Sequence, residues 1–170
     1  MPDGPAVLIR PAELRDVRAI RAIDAQVYPT PWSEKLTIEQ TTGPGRVHLV
    51  VEEDHRIIAH GGIALLDGDA HITTIAVDPT QQRRGIAGVV MRHLFAAALD
   101  NDCAAVTLEV RASNTAAIAL YEQHGMESVG VRPGYYGDNG EDAVIMWTVE
   151  PLNDTLSPNR TAVDWDHDEA

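Results

Sequence analysis

The segment from residue 70 to residue 99 restricts the possible folds of this chain more than any other. It begins with a β-rich run, "AHITTIAV", continues through "DPTQQRRGIAG", and then places Ile86, Val89 and Val90 at helical spacing. A strand therefore leads into a short basic turn, and a helix leaves that turn near Gly85. The first N–H groups of a helix lack intrahelical partners and carry the positive end of its dipole. Small residues at that point predict a site for a phosphate or pyrophosphate.

Two common phosphate-binding patterns do not fit this turn. A P-loop requires Gly-Lys followed by Ser or Thr, but Gly85 is followed by Ile-Ala-Gly. A dinucleotide fingerprint requires Gly-x-Gly-x-x-Gly after the first strand, whereas Gly85-x-Ala87-Gly88 follows the fourth predicted strand. The turn therefore indicates either another phosphate-bearing ligand or a tight strand–helix connection with solvated arginines.

The rest of the chain predicts a mixed α/β domain in which helices interrupt a series of strands. Helices are predicted over 12–28, after the N-cap Ser33, over 85–99 and over 113–125, where Ser113 or Asn114 is the cap. Strands are predicted over 6–12, 46–53, 56–66, 70–77, 104–111, 126–132 and 141–150. We expect a single domain over 1–150 and an acidic, flexible tail over 151–170.

Composition excludes some classes of protein. No apolar run is long enough to span a bilayer, and the first residues do not resemble a signal peptide, so neither a membrane partner nor secretion is expected. The single cysteine, Cys103, excludes an internal disulfide and is expected to be buried. These features together predict a cytoplasmic protein. The formal net charge of −13 disfavours nucleic acid and favours a basic protein or peptide partner, although solubility alone also explains it.

Four segments carry a resemblance to a known family. Gln-Arg-Arg-Gly-Ile-Ala at 82–87 resembles the pyrophosphate loop of the GCN5-related N-acetyltransferases (GNAT), whose pattern is Gln/Arg-x-x-Gly-x-Gly/Ala. "LEVRASNTAAIALYEQHGM", "YPTPWSEK" and "RPGYYGDNGEDAVIM" resemble the RimI-type branch, the N-terminal alanine acetyltransferases of ribosomal proteins. The similarity covers residues 5–150, and the tail has no counterpart. The branch usually has a second glycine where this chain has Ala87, which implies a slightly altered loop.

The resemblance implies a fold, a cofactor and an acceptor. The fold is a central, mostly antiparallel sheet flanked by helices. The co-substrate is acetyl-CoA, without a metal ion, and the acceptor is the N-terminal alanine of protein eighteen of the small ribosomal subunit. The residues alone leave two alternatives open. One is an acetyltransferase for lysine side chains or small amines, and the other is a CoA-binding sensor without turnover.

Glu109 and Tyr121 are the candidate catalytic residues. Glu109 lies within a predicted strand and faces away from its apolar neighbours Leu108 and Val110. The resemblance implies that it accepts the amine proton through water; the alternatives are an exposed edge position or a pair with Arg111. Tyr121 follows Asn114 by two helical turns, and the resemblance implies that it donates a proton to the CoA thiolate. The alternative for Tyr121 is core packing.

The resemblance also implies binding roles. Backbone groups of "IAV" at 75–77 would pair with the pantetheine arm, the turn would bind the pyrophosphate, and Asn114 would contact the cofactor or act only as an N-cap. Two adjacent tyrosines in "RPGYYGDNG" would cover the peptide acceptor or lie in an exposed turn. The seven histidines are scattered without metal-ligand spacing, so no metal site is predicted. The predicted cofactor residues are Ile75, Ala76, Val77, Arg83, Arg84, Gly85, Ile86, Ala87, Gly88 and Asn114, and the predicted substrate residues are Tyr135 and Tyr136.

Overall fold

A computed structural model describes residues 7–149 and residue 152, which form one seven-stranded sheet with helices on both faces. The strands are β1 (Val7–Pro11), β2 (Arg46–Glu53), β3 (Arg56–Leu66), β4 (Asp69–Val77), β5 (Ala105–Arg111), β6 (Met126–Arg132) and β7 (Ala143–Thr148). The helices are α1 (Val17–Val27), α2 (Glu34–Thr42), α3 (Ile86–Asp100) and α4 (Thr115–Gln123), with 3-10 turns at Leu14–Asp16 and Pro79–Gln81. The predicted order of elements is confirmed.

The helix predicted over 12–28 begins later than the apolar pattern suggests. Its first turn is the 3-10 turn at Leu14–Asp16, in which the Asp16 carboxylate accepts a 2.8 Å hydrogen bond from the Glu13 N–H. The same carboxylate pairs with the Arg10 guanidinium at 2.7 Å and is buried. The sequence pattern could not separate this turn from α1 because both place apolar residues three or four positions apart.

The sheet has the strand order β1-β2-β3-β4-β5-β7-β6, and only the β4–β5 pair is parallel among the described strands. The mostly antiparallel sheet that the resemblance implies is therefore confirmed. Adjacent residues of β3 show which helix covers each face. A Cβ built on Gly61 would lie 2.6 Å from Val90 of α3, whereas one built on Gly62 would lie 2.5 Å from His48, on the opposite face. That second face is covered by α1 and α2.

The parallel pair separates along its length. The register of β4 and β5 contains only three residue pairs, and the last joins His71 to Thr107. Beyond that point β4 continues to Val77 along β3, with a bulge opposite Gly62 and Ile63, while β5 continues to Arg111 along β7. The two strands therefore diverge towards their C-terminal ends and leave an opening in the middle of the sheet.

The core lies mainly between α3 and the sheet. Buried residues of α3 include Val90, Met91, Leu94 and Phe95, and they pack with apolar residues of β2 to β5. Cys103 is buried as expected, and this burial raises the pKa of its thiol. Leu152 also packs into this core, although it falls within the predicted tail. The rest of that tail lies outside the described residues. None of the described helices is long and apolar enough to cross a membrane.

Candidate active site

The opening between β4 and β5 is the floor of a cavity of about 710 Å³. Five of the residues predicted for the site line it: Ile75, Glu109, Asn114, Tyr121 and Tyr136. Residues of α1 and of the segment that follows it complete the wall, among them Asp24, Tyr28 and Trp32. Tertiary structure thus brings the carboxylate of β5 together with the phenol and the N-cap of α4.

Glu109 lies on a central strand, with its side chain 16% exposed. One carboxylate oxygen is 2.5 Å from Nε2 of His71, and the other is 3.7 Å from Nε of Arg132. Arg111 does not pair with Glu109, because its guanidinium binds Asp138 at 2.9 Å and Glu141 at 3.4 Å. The alternatives of an edge-strand glutamate and of an Arg111 partner are therefore not realised.

His71 contacts the candidate base Glu109 although it does not line the cavity, and the sequence does not reveal this contact. It lies at the last paired position of β4, 38 residues before Glu109, and its side chain is 28% exposed. No spacing pattern links two residues that meet across a parallel strand pair. Its alternation with the buried Ala70 and Ile72 would have indicated only that it faces away from the core.

Tyr121 faces the same cavity from α4. Burial raises the pKa of its phenol above the ordinary value, and the nearby phenols of Tyr28 and Tyr136 raise it further. The hydroxyl group therefore keeps its proton over the whole physiological range and can donate a hydrogen bond into the cavity, although the raised pKa makes the phenol a weaker acid. Asn114 begins the same helix, and its side-chain oxygen accepts a 3.2 Å hydrogen bond from the Ala117 N–H. Its role as an N-cap and its position on the cavity wall coexist.

The basic turn has a more constrained geometry than its composition suggests. Gly85 is the N-cap of α3 with a φ of 76°, and Arg83 also has a positive φ of 68°. The first hydrogen bond of the helix runs from the Val89 N–H to the Gly85 carbonyl at 3.2 Å, so the preceding amide groups lie at its positive end. Because α3 follows β4, this end of the helix lies where β4 and β5 diverge.

The two arginines of the turn differ. Arg84 pairs with both carboxylate oxygens of Glu53, at 2.8 and 3.2 Å, and donates to the Gln81 side chain at 2.7 Å. Arg83 is exposed. The 710 Å³ cavity does not extend to the turn or to Ala76, Val77 and Tyr135, so these predicted residues lie beside the cavity and not in its wall.

The segment after α1 is held against β4 by Tyr28. Its hydroxyl donates to the Ile75 carbonyl at 2.9 Å and is 2.8 Å from the Thr74 hydroxyl. Burial raises the pKa of Tyr28 to about 12, so this phenol also keeps its proton. The residue lies in "YPTPWSEK", but its bond to β4 spans 47 residues and has no local signal.

The loop between β6 and β7 covers another side of the cavity. The Arg111 guanidinium lies 4.0 Å from the centre of the Tyr136 ring, a cation–π contact, and also binds Asp138 of the same loop. Tyr135 packs edge-on against Tyr136 and is half exposed. Arg111 therefore fixes the loop, and of the two predicted tyrosines only Tyr136 faces the cavity.

A buried chain of polar side chains reaches the cavity from inside the protein. His48 Nε2 is 2.9 Å from His60 Nδ1, and His60 Nε2 is 2.7 Å from an Asp24 carboxylate oxygen. The sequence places these residues on α1, β2 and β3, and nothing in their spacing indicates contact. Among the described residues, no cluster of three His, Cys, Asp or Glu side chains could hold a metal ion.

The sheet is mostly antiparallel and opens between its two parallel strands. A helix N-terminus lies where these strands diverge, and a carboxylate and a phenol face the opening. Together these features define the class of acyl-CoA-dependent N-acyltransferases. The model of the Acetyltransferase (GNAT) family matches residues 17–126, and the chain belongs to this family. The protein is thus an acetyltransferase.

Individual relatives agree with this assignment. The chain is 34% identical over 140 residues to a Bacillus subtilis protein named putative [ribosomal protein bS18]-alanine N-acetyltransferase, covering 82% of this chain and 93% of the relative. The crystal structure of the ribosomal-protein-S18-alanine N-acetyltransferase from Escherichia coli superposes with a TM-score of 0.79 at 33% identity, covering 86% of this chain and 94% of that one. Arabidopsis thaliana NAA60, crystallised with acetyl-CoA, shares the fold, with a TM-score of 0.76 at 19% identity over 84% of this chain and 97% of that one.

Proposed function

We propose that this protein transfers an acetyl group from acetyl-CoA to the N-terminal α-amine of a protein, and that its acceptor is the N-terminal alanine of ribosomal protein bS18. The observation that carries the proposal is that Glu109 and Tyr121, a candidate base and a candidate acid, face one cavity in the opening of the sheet. The Bacillus subtilis relative, at 34% identity, and the Escherichia coli structure, at 33% identity, are named for this acceptor. The formal net charge of −13 suits a basic polypeptide.

The structure contains groups that suit acetyl-CoA. The N-terminal amides of α3 and the small residues Gly85, Ala87 and Gly88 form a cradle for the pyrophosphate, since no long side chain projects from these three positions. The backbone of Ile75 to Val77 lies on the diverging part of β4, where β5 is too distant to pair with it. There it is available to the pantetheine arm. Acetyl-CoA supplies the acetyl group as an activated thioester when it is bound.

The acceptor chemistry requires little of the base. An α-amine has a reference pKa of ~8, so a minority of the amine molecules is already neutral at pH 7, whereas a lysine side chain, with a reference pKa of ~10.4, is almost wholly charged. Glu109 removes the remaining proton, directly or through a water molecule, and its contacts with His71 and Arg132 hold the carboxylate in place. Backbone N–H groups of β4 polarise the acetyl carbonyl. Tyr121 holds its proton at Oη for the departing sulfur.

The acceptor is tested with peptide pairs that differ only at the N-terminus. A basic peptide that begins with alanine and contains an internal lysine is compared with the same peptide carrying a blocked N-terminus. Thiol release from acetyl-CoA is followed, and mass spectrometry locates the modified nitrogen. We expect blocking to reduce the rate to background. An unchanged rate would assign the activity to lysine side chains and contradict the proposed acceptor.

Tyr121→Phe separates an enzyme from a CoA-binding sensor. Removing the hydroxyl keeps the packing of the ring but deletes the proton donor, so the rate is expected to fall by about 100-fold or more. Because the acetyl-CoA-binding turn is untouched, affinity for acetyl-CoA should change little. If the parent protein releases no thiol with any amine acceptor, the sensor function is the correct one.

A further inference from the structure

The polar chain of Asp24, His60 and His48 is buried along its whole length. Relative exposures are 3% for Asp24, 0% for His60 and 3% for His48. Two hydrogen bonds of 2.7 and 2.9 Å connect the three side chains, which come from α1, β3 and β2. Burying polar groups of this kind costs free energy unless each finds a partner, and most cores avoid them. The catalytic steps proposed for Glu109 and Tyr121 make no use of these three side chains.

Only one placement of protons on these three side chains gives each of their buried N–H donors an acceptor. Nδ1 of His48 has no hydrogen-bond partner and lies against Gly62, so a proton there would be a stranded donor. His48 therefore carries its proton on Nε2 and donates to His60 Nδ1, and His60 in turn donates from Nε2 to Asp24. Burial lowers the pKa of His48 to about 3, which agrees with a neutral ring.

The remaining oxygen of Asp24 is available to the cavity. Asp24 lines the same 710 Å³ cavity as Glu109, and its bond to His60 is its one hydrogen bond to a side chain in the described part of the structure. The ionisable groups that share this cavity are Tyr28, Glu109, Arg111, Tyr121, Tyr136 and Asp138. Arg111, the one basic residue among them, is already paired with Asp138 and Glu141. Asp24 thus faces the cavity without a cationic partner from its wall.

We propose that Asp24 binds the α-ammonium group of the incoming polypeptide, and that His60 and His48 are positioning residues that hold the Asp24 carboxylate for this contact. The inference rests on the function proposed above. Most α-amines are protonated at neutral pH, so the group that enters the cavity is a cation with three N–H donors. One proton goes to Glu109, and a neutral amine still has an N–H for Asp24. The two carboxylates therefore have different duties, binding for Asp24 and proton removal for Glu109.

The test is Asp24→Asn, which keeps the shape of the side chain and an oxygen for His60 while removing the charge. We expect the KM for the alanine peptide to rise about 10-fold or more, because a hydrogen bond to a charged group is lost. The KM for acetyl-CoA should stay within about 2-fold of the parent value. The matched control is Asp16→Asn, another buried carboxylate, which pairs with Arg10 and does not line the cavity. The control should lower thermal stability and leave the peptide KM unchanged.

A des-amino peptide, in which hydrogen replaces the α-amine, separates recognition of the ammonium from a structural role. As a competitive inhibitor it has no charge for Asp24 to bind, so its inhibition constant should be the same for the parent and for Asp24→Asn. Equal weakening of both peptides would mean that Asp24 only shapes the cavity and would overturn the proposal. An unchanged KM for the alanine peptide would also overturn it. If the parent acetylates no peptide α-amine, the proposed function fails as well, and this result is distinct from an active parent with an indifferent Asp24.

Discussion

His71 offers the most direct test of how the candidate base is held. Its Nε2 lies 2.5 Å from one Glu109 oxygen, at the point where β4 and β5 stop pairing. We expect this hydrogen bond to fix the rotamer of Glu109 and to leave the other oxygen for the amine or for a bridging water. Without it, the carboxylate can rotate away from the cavity or towards Arg132, which is 3.7 Å from that second oxygen.

The size of the effect follows from the environment of the bond. A hydrogen bond to a charged group contributes about 1.5–3 kcal/mol, equivalent to roughly a 10- to 100-fold change in rate. His71 is 28% exposed, so water can replace part of what the imidazole provides, and the lower end of that range applies. We therefore expect kcat to fall about 10-fold when the donor is lost. The KM for acetyl-CoA should not change.

Two amide substitutions make the assay specific for the donor. The side-chain nitrogen of glutamine reaches about as far as Nε2 of histidine, whereas that of asparagine reaches only as far as Nδ1. His71→Gln should keep most of the activity, and His71→Asn should lose it. Steady-state rates with the alanine peptide are measured beside thermal unfolding of each variant. Equal loss in both variants, or no loss in either, would refute the idea that a hydrogen bond from His71 positions Glu109.

Three further predictions test the scaffold around the site. Gly62→Ala should raise the peptide KM, because its Cβ would lie 2.5 Å from His48 Nδ1. In Gly61→Ala the new Cβ would lie 2.6 Å from Val90 of α3, so this variant should lower the melting temperature and leave the peptide KM unchanged. The pKa of the His48 imidazole is ~6.5 in the unfolded protein and about 3 in the folded protein, so between these pH values the unfolded state binds more protons. The free energy of unfolding should therefore decrease by up to ~1.4 kcal/mol for each unit by which the pH falls through this range. Urea titrations at several pH values give the free energy of unfolding, which should depend less steeply on pH for His48→Gln than for the parent. An equal pH dependence would contradict a neutral, buried His48. Gly85→Val should raise the KM for acetyl-CoA at least about 10-fold, because the φ of 76° at this position strains a branched residue. Replacing Arg84, which is held by Glu53, should raise this KM less. A larger effect at Arg84 than at Gly85 would contradict the proposal that the backbone of the turn binds the pyrophosphate.

Much of the fold could be predicted because its signals are local. The apolar stripe of α3, the alternation in β5 and the cap at Asn114 each depend on residues within a few positions of one another. The order of strands and helices follows from these signals, and the pattern around Gly85 by itself indicates an anion site. Glu109 was notable because a charged residue in an otherwise apolar strand needs a reason for its position.

The partners of these residues depend on contacts between distant parts of the chain. Glu109 meets His71 across 38 residues, Asp24 meets His60 across 36, and Arg84 meets Glu53 across 31. Such pairs are brought together by the strand order and by the face of the sheet that each helix covers, and side-chain spacing carries no record of either. For this reason the sequence leaves Arg111 open as an alternative partner of Glu109, whereas the structure assigns Arg111 to the β6–β7 loop.

By itself, then, the sequence determined the elements, their order and the residue types available for acetyl transfer, because backbone propensity and hydrophobic periodicity are properties of neighbouring residues. Tertiary structure alone decided that β4 and β5 diverge after three paired residues and so create the cavity. It also decided which carboxylates face that cavity and which side chains hold them. Hydrogen bonds and ion pairs depend on distance in space, and only the folded sheet brings Asp24, His71 and Glu109 within reach of their partners.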